Sequence, residues 1–301
     1  MHTKTIGGQA VIEGVMMKSP EGWSVAVRDP KGTIALKTVR IQKPNWFVKL
    51  PLIRGSIALL QALIIGIKAI EFSGSVAFQE KDDEKPLSPW SIALSIGLAL
   101  VLAITLFKFL PLLIATAAGN VYPEIAKSSL LFNLIDGVTR VFIFFLYIVG
   151  IGLWSEMKRI YAYHGAEHKV IYAFEAKEPL TVESARKYKP FHPRCGTSFL
   201  LIVMMISIVT FMFIPQDWPF IEKLLARIVL IPLIAGVSYE TLRLSARFSE
   251  HPVMGFLVWP GLLLQRLTVR EPDDSQIETA IAALNAVLKL EEPSEEGAVN
   301  A

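Results

Sequence analysis

The side chains best suited to chemistry lie close together near the middle of the chain. Tyr161-Ala162-Tyr163-His164-Gly165-Ala166-Glu167-His168-Lys169 is followed by His192-Pro193-Arg194-Cys195, so three of the five histidines and the single cysteine share one stretch. If residues 161–174 are helical, His164 and His168 stand one turn apart on one face, with Glu167 beside them. Two imidazoles so placed can grip one metal ion, and the glutamate is positioned to act as general base. The spacing H-x-x-E-H is the inverted form of the zinc-protease signature. His192 and Cys195 add a borderline nitrogen and a soft sulfur at a spacing that also suits zinc. The expected cofactor is a divalent metal, zinc first, with ligands drawn from His164, His168, His192 and Cys195 and with Glu167 catalytic. The competing reading makes the histidines ordinary capping or solvated side chains.

The rest of the chain must position these groups, and its composition says in what medium. Hydrophobic residues make up 52% of 301, charged residues 19%, and mean hydropathy is +0.47. Such a chain is too apolar for an ordinary soluble domain, and its long uncharged runs indicate an integral membrane protein. A lone cysteine excludes an intrachain disulfide framework and leaves a thiol for ligation or reaction. The N-terminus has no apolar h-region, so no cleavable signal peptide is expected. No internal repeat is evident.

In chain order, residues 1–50 read as a β-rich cytosolic segment. Trp23 to Arg28 is β-prone, Asp29-Pro30-Lys31-Gly32 is turn chemistry, and Thr33 to Ile41 alternates as a return strand. Glu13, between an apolar strand and Gly14, reads as strand-end polarity. Residues 51–72 are apolar but are closed early by Lys68 and Glu71, which predicts an interfacial or re-entrant helix. Lys81-Asp82-Asp83-Glu84-Lys85-Pro86 reads as a charged linker. The membrane domain, 88–270, should hold four spans: Ser91 to Thr116, Leu130 to Trp154, Ser198 to Pro215 and Leu224 to Leu242. Pro252 to Leu264 is too short and too broken by Gly255 and Pro260-Gly261 to cross, which leaves it at the interface. The 156–196 insertion carries the histidine motif. From 271 onward an acidic N-cap and the helical recurrence of Ile277, Ala280, Ile281, Leu284, Val287 and Leu288 predict a cytosolic helix with a disordered tail from Glu291.

Orientation follows from basic residues. Lys158, Arg159, Lys169, Lys177, Arg186, Lys187, Lys189 and Arg194 crowd the segment 156–195, whereas Lys127 and Lys223 are the lone basic residues in 117–129 and 215–223. The motif should face the cytosol, and four spans put both termini there too. The fold class is thus mainly α and integral to the membrane. It comprises about four transmembrane helices, one or two interfacial or re-entrant helices, and a small cytosolic α+β part.

Several segments together resemble the YqhQ-like family of bacterial membrane proteins, whose function is unknown and which is often labelled as predicted metal-dependent enzymes. The matching pieces are Gly7-Gly8-Gln9-Ala10-Val11-Ile12-Glu13-Gly14-Val15-Met16-Met17, Tyr163 to Lys169, and His192-Pro193-Arg194-Cys195-Gly196-Thr197-Ser198-Phe199. Ser238-Tyr239-Glu240, Pro260-Gly261-Leu262 and Glu271-Pro272-Asp273-Asp274 complete the set. The resemblance implies a multi-pass protein of the bacterial plasma membrane.

Two chemistries then compete. In a membrane-anchored metal-dependent hydrolase, His164 and His168 bind the ion, and His192 or Cys195 is third ligand. Water fills the open position and Glu167 takes its proton. Glu240 is an alternative third ligand, at a downstream interval resembling that of inverted-motif zinc proteases. In a non-catalytic factor for membrane-protein assembly, His164, His168, His192 and Cys195 would instead close a four-coordinate site. The basic segment would then contact a ribosome, a translocon or anionic headgroups. The partners to expect are the lipid bilayer, a ribosome or translocon, a peptide or lipid substrate, and a second copy in a homo-oligomer. A transporter reading rests on Lys108, Asp136 and Arg140 with Pro232 and Gly236, and it lacks an inverted repeat.

Overall fold

Alternating apolar residues build the N-terminal sheet. The computed structural model describes residues 6–42, 46, 50–78, 89–192, 195–215, 217–247 and 252–292. The linker 81–86, Pro193-Arg194 and the tail beyond 292 lie outside the described residues. Strands β1 (Gly7–Val11), β2 (Gly14–Lys18), β3 (Gly22–Arg28) and β4 (Ile34–Arg40) form an antiparallel meander in sequence order. The predicted hairpin is present, with Val27 opposite Ala35 and Trp23 opposite Val39. Gly32 takes φ 88 in its turn, where an L side chain would be strained. Gly14 is required by close approach, because a Cβ there would run into the carbonyl oxygen of Ala26.

The pleat sends successive side chains to opposite faces, and each face has a helical cover. Val15, Met17 and Ala26 pack on α6 (Ser155–Glu175) and α12 (Asp274–Leu290) through Tyr163, Ala166, Val170, Ile277, Ala280, Leu284 and Val287. Val11, Met16, Trp23, Val25 and Val27 pack on Ile65, Ala69 and Val76 of α1 (Ile53–Ala77). Each fully buried Val, Leu, Ile or Met on these faces contributes about 1.5–3 kcal/mol. α12 starts at a capping box, in which Asp273 and Gln276 each accept a bond from the other's backbone amide.

The helix expected over 51–72 is longer than its sequence suggested, at 25 residues. Lys68 and Glu71 do not end it, because both point to the exposed side while Ile65 and Ala69 face the sheet. Its first half crosses α10 (Ile231–Arg247) at a pair of small residues: a Cβ on Gly55 would come within 2.9 Å of the Gly236 Cα.

Among the described residues, three helical stretches are long and apolar enough to cross a membrane: Ile53–Ala77, Ala93–Val121 and Ser129–Ile151. The middle one comprises α2 (Pro89–Ile104), a π-helical turn at Thr105–Phe109 and α3 (Leu110–Val121). Pro111 explains the turn, since its ring excludes the carbonyl of Phe107 four residues back from the helical ladder. Arg140 Nε donates to that freed carbonyl oxygen at 3.0 Å. The short α4 (Pro123–Lys127) links this stretch to α5 (Ser129–Ile151). The run expected as one span over Leu224 to Leu242 is instead divided into α9 (Phe220–Val229) and α10. Pro232 at the second position of α10 cannot continue the ladder of α9. α7 (Val182–Arg186), α8 (Gly196–Phe211) and α11 (Pro252–Thr268) complete the fold, and α11 is one helix despite Pro260.

Candidate metal centre

α6 carries the motif in a slot between the sheet and the 268–272 segment. Tyr163, Ala166 and Val170 face the sheet core. On the opposite side Gly165 lies under the chain leaving α11, where a Cβ would collide with the Arg270 carbonyl oxygen. The Arg270 amide also donates to the Tyr161 carbonyl at 2.9 Å. At the start of the helix, Arg159 grips the Glu13 carboxylate through Nε and Nη2 at 2.6 and 2.5 Å, and the Tyr163 hydroxyl adds a bond at 3.3 Å. Glu13 therefore fixes α6 to the first hairpin and is more than strand-end polarity.

The two motif histidines are held alike. Nδ1 of His164 lies 3.0 Å from the Thr268 carbonyl oxygen, and Nδ1 of His168 lies 2.6 Å from that of Pro190. A carbonyl can only accept, so each Nδ1 donates, and in a neutral ring that tautomer leaves a lone pair on Nε2. Nε2 of His164 is 3.1 Å from Cys195 Sγ. Nε2 of His168 is buried and has no hydrogen-bond partner among the described residues, and burial holds this ring below its ordinary pKa against the opposing effect of Cys195. The ring centroids are 4.5 Å apart.

Cys195 is the N-cap of α8, and its sulfur accepts from the Thr197 amide at 3.4 Å, with the Thr197 hydroxyl 3.2 Å away. Sulfur is a soft donor that suits zinc and other thiophilic metals. One donor atom from each of His164, His168 and Cys195 lies within 4.8 Å of the other two. Two imidazoles, each oriented by a backbone carbonyl behind Nδ1, and a thiol form a donor group that could hold a metal ion.

Glu167 stands beside this group and is not part of it. Burial pushes its carboxyl up to about 7, against the opposing effects of His164 and of the Gly8 amide. It fits because β1 has no side chain there: a Cβ on Gly8 would lie 2.8 Å from the Glu167 carboxylate carbon. His192 is near, with its ring centroid 5.7 Å from that of His168, but it is not among the three donors that lie within 4.8 Å of one another. Its backbone amide and carbonyl are both taken by Gln265, at 2.8 and 2.7 Å, and its ring packs on Tyr172 at 4.4 Å with Nε2 3.4 Å from Glu175. Glu240 is elsewhere, its carboxylate gripped by Nε and Nη2 of Arg54. The structure thus brings together three of the five sequence-derived ligands.

The family described as "Protein of unknown function (DUF1385)" matches residues 50–290. The chain belongs to this family. It is also 33% identical over 300 residues to "Uncharacterized protein YqhQ" of Bacillus subtilis (strain 168), covering 96% of this chain and 94% of the relative. No solved structure matches.

In this DUF1385 protein several groups that shape the site were absent from the sequence reading. The Thr268 and Pro190 carbonyls are backbone atoms, which no residue pattern reveals. Gln265 and Thr197 are common residue types without a motif. Buried Lys169, paired with Glu271 and 3.4 Å from the Arg186 carbonyl, sat next to the motif as a visible clue.

Proposed function

We propose that this protein is a multi-pass, metal-dependent hydrolase of the bacterial plasma membrane, working at the cytosolic face. The observation that carries this reading is the gathering of one donor atom from each of His164, His168 and Cys195 within 4.8 Å of one another, with both imidazoles fixed by a carbonyl behind Nδ1. Three protein ligands leave a zinc ion one position for water, the usual difference between a catalytic and a closed structural site. The metal would supply Lewis acidity toward that water and a substrate carbonyl. Glu167 is the proton acceptor, since a carboxyl near 7 is matched to neutral pH. A peptide, amide or ester bond presented at the membrane surface is the substrate class.

Packing supports the topology. The sheet, α6 and α12 share one apolar core and so lie on one side of the bilayer. An even number of crossings must then separate β4 from α6. Ile65, Ala69 and Val76 bind the second half of α1 to the sheet, so α2–α3 and α5 are the crossing pair. α8 and α10 form the second pair, which returns the chain to α12. The basic residues of 156–195 favour the cytosol for the shared core.

The assembly-factor alternative is weaker on two counts. His192 is not among the donors that lie within 4.8 Å of one another, and much of the basic segment finds partners within the chain: Arg159 with Glu13, Lys169 with Glu271, Arg186 with Asp274 and Lys187 with Glu178. A second reading comes from Cys195 Sγ lying 3.1 Å from His164 Nε2, which without an ion is the geometry of a cysteine nucleophile beside a general base. Metal analysis with X-ray absorption on the full-length protein separates these readings. One zinc with two nitrogens, one sulfur and one oxygen is expected. Four protein ligands would favour the scaffold, and hydrolysis that survives chelation would favour the cysteine nucleophile. No stoichiometric metal would remove the proposal.

A further inference from the structure

Away from the metal centre, three cationic side chains crowd one aromatic ring. Lys108 Nζ, Arg140 Cζ and Arg227 Cζ lie 5.0, 4.9 and 5.1 Å from the centroid of Phe211. Both arginines are almost fully buried, and they share the carboxylate of Asp136: Arg140 Nη2 at 2.6 Å and Arg227 Nη1 at 2.5 Å. Lys108, on the π-helical turn, feels the charge of Asp136 yet makes no ion pair or hydrogen bond among the described residues. Three cations therefore face one anion among apolar helices, where an unpaired charge is costly and marks a functional site.

Arg227 shows what is missing. Elsewhere in the protein, Arg54, Arg159 and Arg186 each present the edge formed by Nε and Nη2 to both oxygens of a carboxylate. This is the fork geometry that suits carboxylates and phosphates. Arg227 uses Nη1 for Asp136 instead, gives Nη2 a 3.3 Å bond to Asn133, and leaves a buried Nε–H with no partner among the described residues. Its oxyanion-binding edge is thus only half used inside a net positive cluster. Arg140, by contrast, is fully used by Asp136, Ser207 and the Phe107 carbonyl.

We propose that the half-used edge of Arg227, together with Lys108, binds a phosphate-type oxyanion. A phospholipid headgroup is the favoured source, because α3, α5 and α9 present apolar residues to their surroundings. The cluster lies toward the α4 end of α5, away from the sheet, and so toward the leaflet opposite the metal centre. It rests on the membrane reading but not on the metal chemistry.

The test is native mass spectrometry and titration of full-length protein in nanodiscs and in detergent. The probes are phosphatidylglycerol, phosphatidylcholine and inorganic phosphate. One phosphatidylglycerol per chain is expected to persist, with affinity lowered about tenfold in Arg227→Lys and in Lys108→Leu. Lys108→Leu disturbs no bond to Asp136, so it keeps the test valid if Arg227→Lys does not fold. Displacement of the lipid by inorganic phosphate would assign the site to the free ion. Absence of binding by either phosphate probe, or unchanged affinity in Lys108→Leu, would overturn the site. Metal content should stay the same throughout.

Discussion

Two buried polar clusters in this protein are built on opposite plans. Around α6, His164, His168 and Cys195 turn lone pairs toward one point, and their protons are held from behind by the Thr268 and Pro190 carbonyls. Around Phe211, Arg140 and Arg227 turn N–H groups toward one carboxylate, and one edge is only half used. The first cluster is rich in electron pairs and suits a cation; the second is rich in protons and suits an anion. The difference shows that burial of polar groups by itself says little. What remains unpartnered, an imidazole nitrogen or a guanidinium N–H, tells which ligand each cluster could take.

The largest expected effect breaks the first cluster alone. His168→Ala removes the unpartnered Nε2 and leaves two donors, which should abolish stoichiometric metal in the purified full-length protein. Elemental analysis checks it, and metal retained at wild-type stoichiometry would end the comparison. Asp136→Asn breaks the second cluster by leaving two buried guanidinium groups without a counter-charge. A loss of about 3–5 kcal/mol is expected, read as the unfolding midpoint in detergent. Metal content in the folded fraction should not change, and a parallel loss of metal would mean that the clusters are coupled.

Gln265→Ala sharpens the comparison by acting behind the ligands. Gln265 holds both backbone groups of His192, two residues after the Pro190 carbonyl and three before Cys195. Metal affinity should fall about 10–100-fold, the usual cost of losing a group that orients a ligand. His192→Ala keeps those backbone bonds and should leave affinity within about threefold of wild type by the same reasoning. A competition titration against a chelator distinguishes the two, and equal losses would restore His192 as a ligand.

These residues also show what was legible in the sequence. His164 and His168 could be paired because helical spacing fixes their relation without tertiary information. Cys195 was legible as a donor, since it is the single thiol. His192 has the spacing of a ligand pair with Cys195, but its ring packs on Tyr172 and lies outside the group of three donors. Glu240 was a guess from interval alone, which cannot foresee that Arg54 claims the carboxylate. Pro111 and Pro232 were visible, yet their consequences depend on neighbours. One is absorbed as a π-helical turn completed by Arg140, and the other divides an expected span. Lys68 and Glu71 were read as a helix end because the sheet that receives the opposite face is distant in sequence.

The smallest expected effect concerns the link between hairpin and site. Arg159 and Glu13 form a bidentate pair, but the side chains are 58% and 27% exposed, so water screens much of the attraction. Glu13→Gln should therefore cost no more than about 1 kcal/mol of stability. Its informative readout is positional. Glu13 also takes the Tyr163 hydroxyl, one residue before His164, so losing the charge should loosen the first turn of α6 more than the metal-binding turn. Hydrogen exchange should rise over 155–160 and stay flat over 164–168, where Tyr163, Ala166 and Val170 are held by the sheet core. Equal loosening of both turns would show that the salt bridge, rather than apolar packing, holds the ligand-bearing face in place.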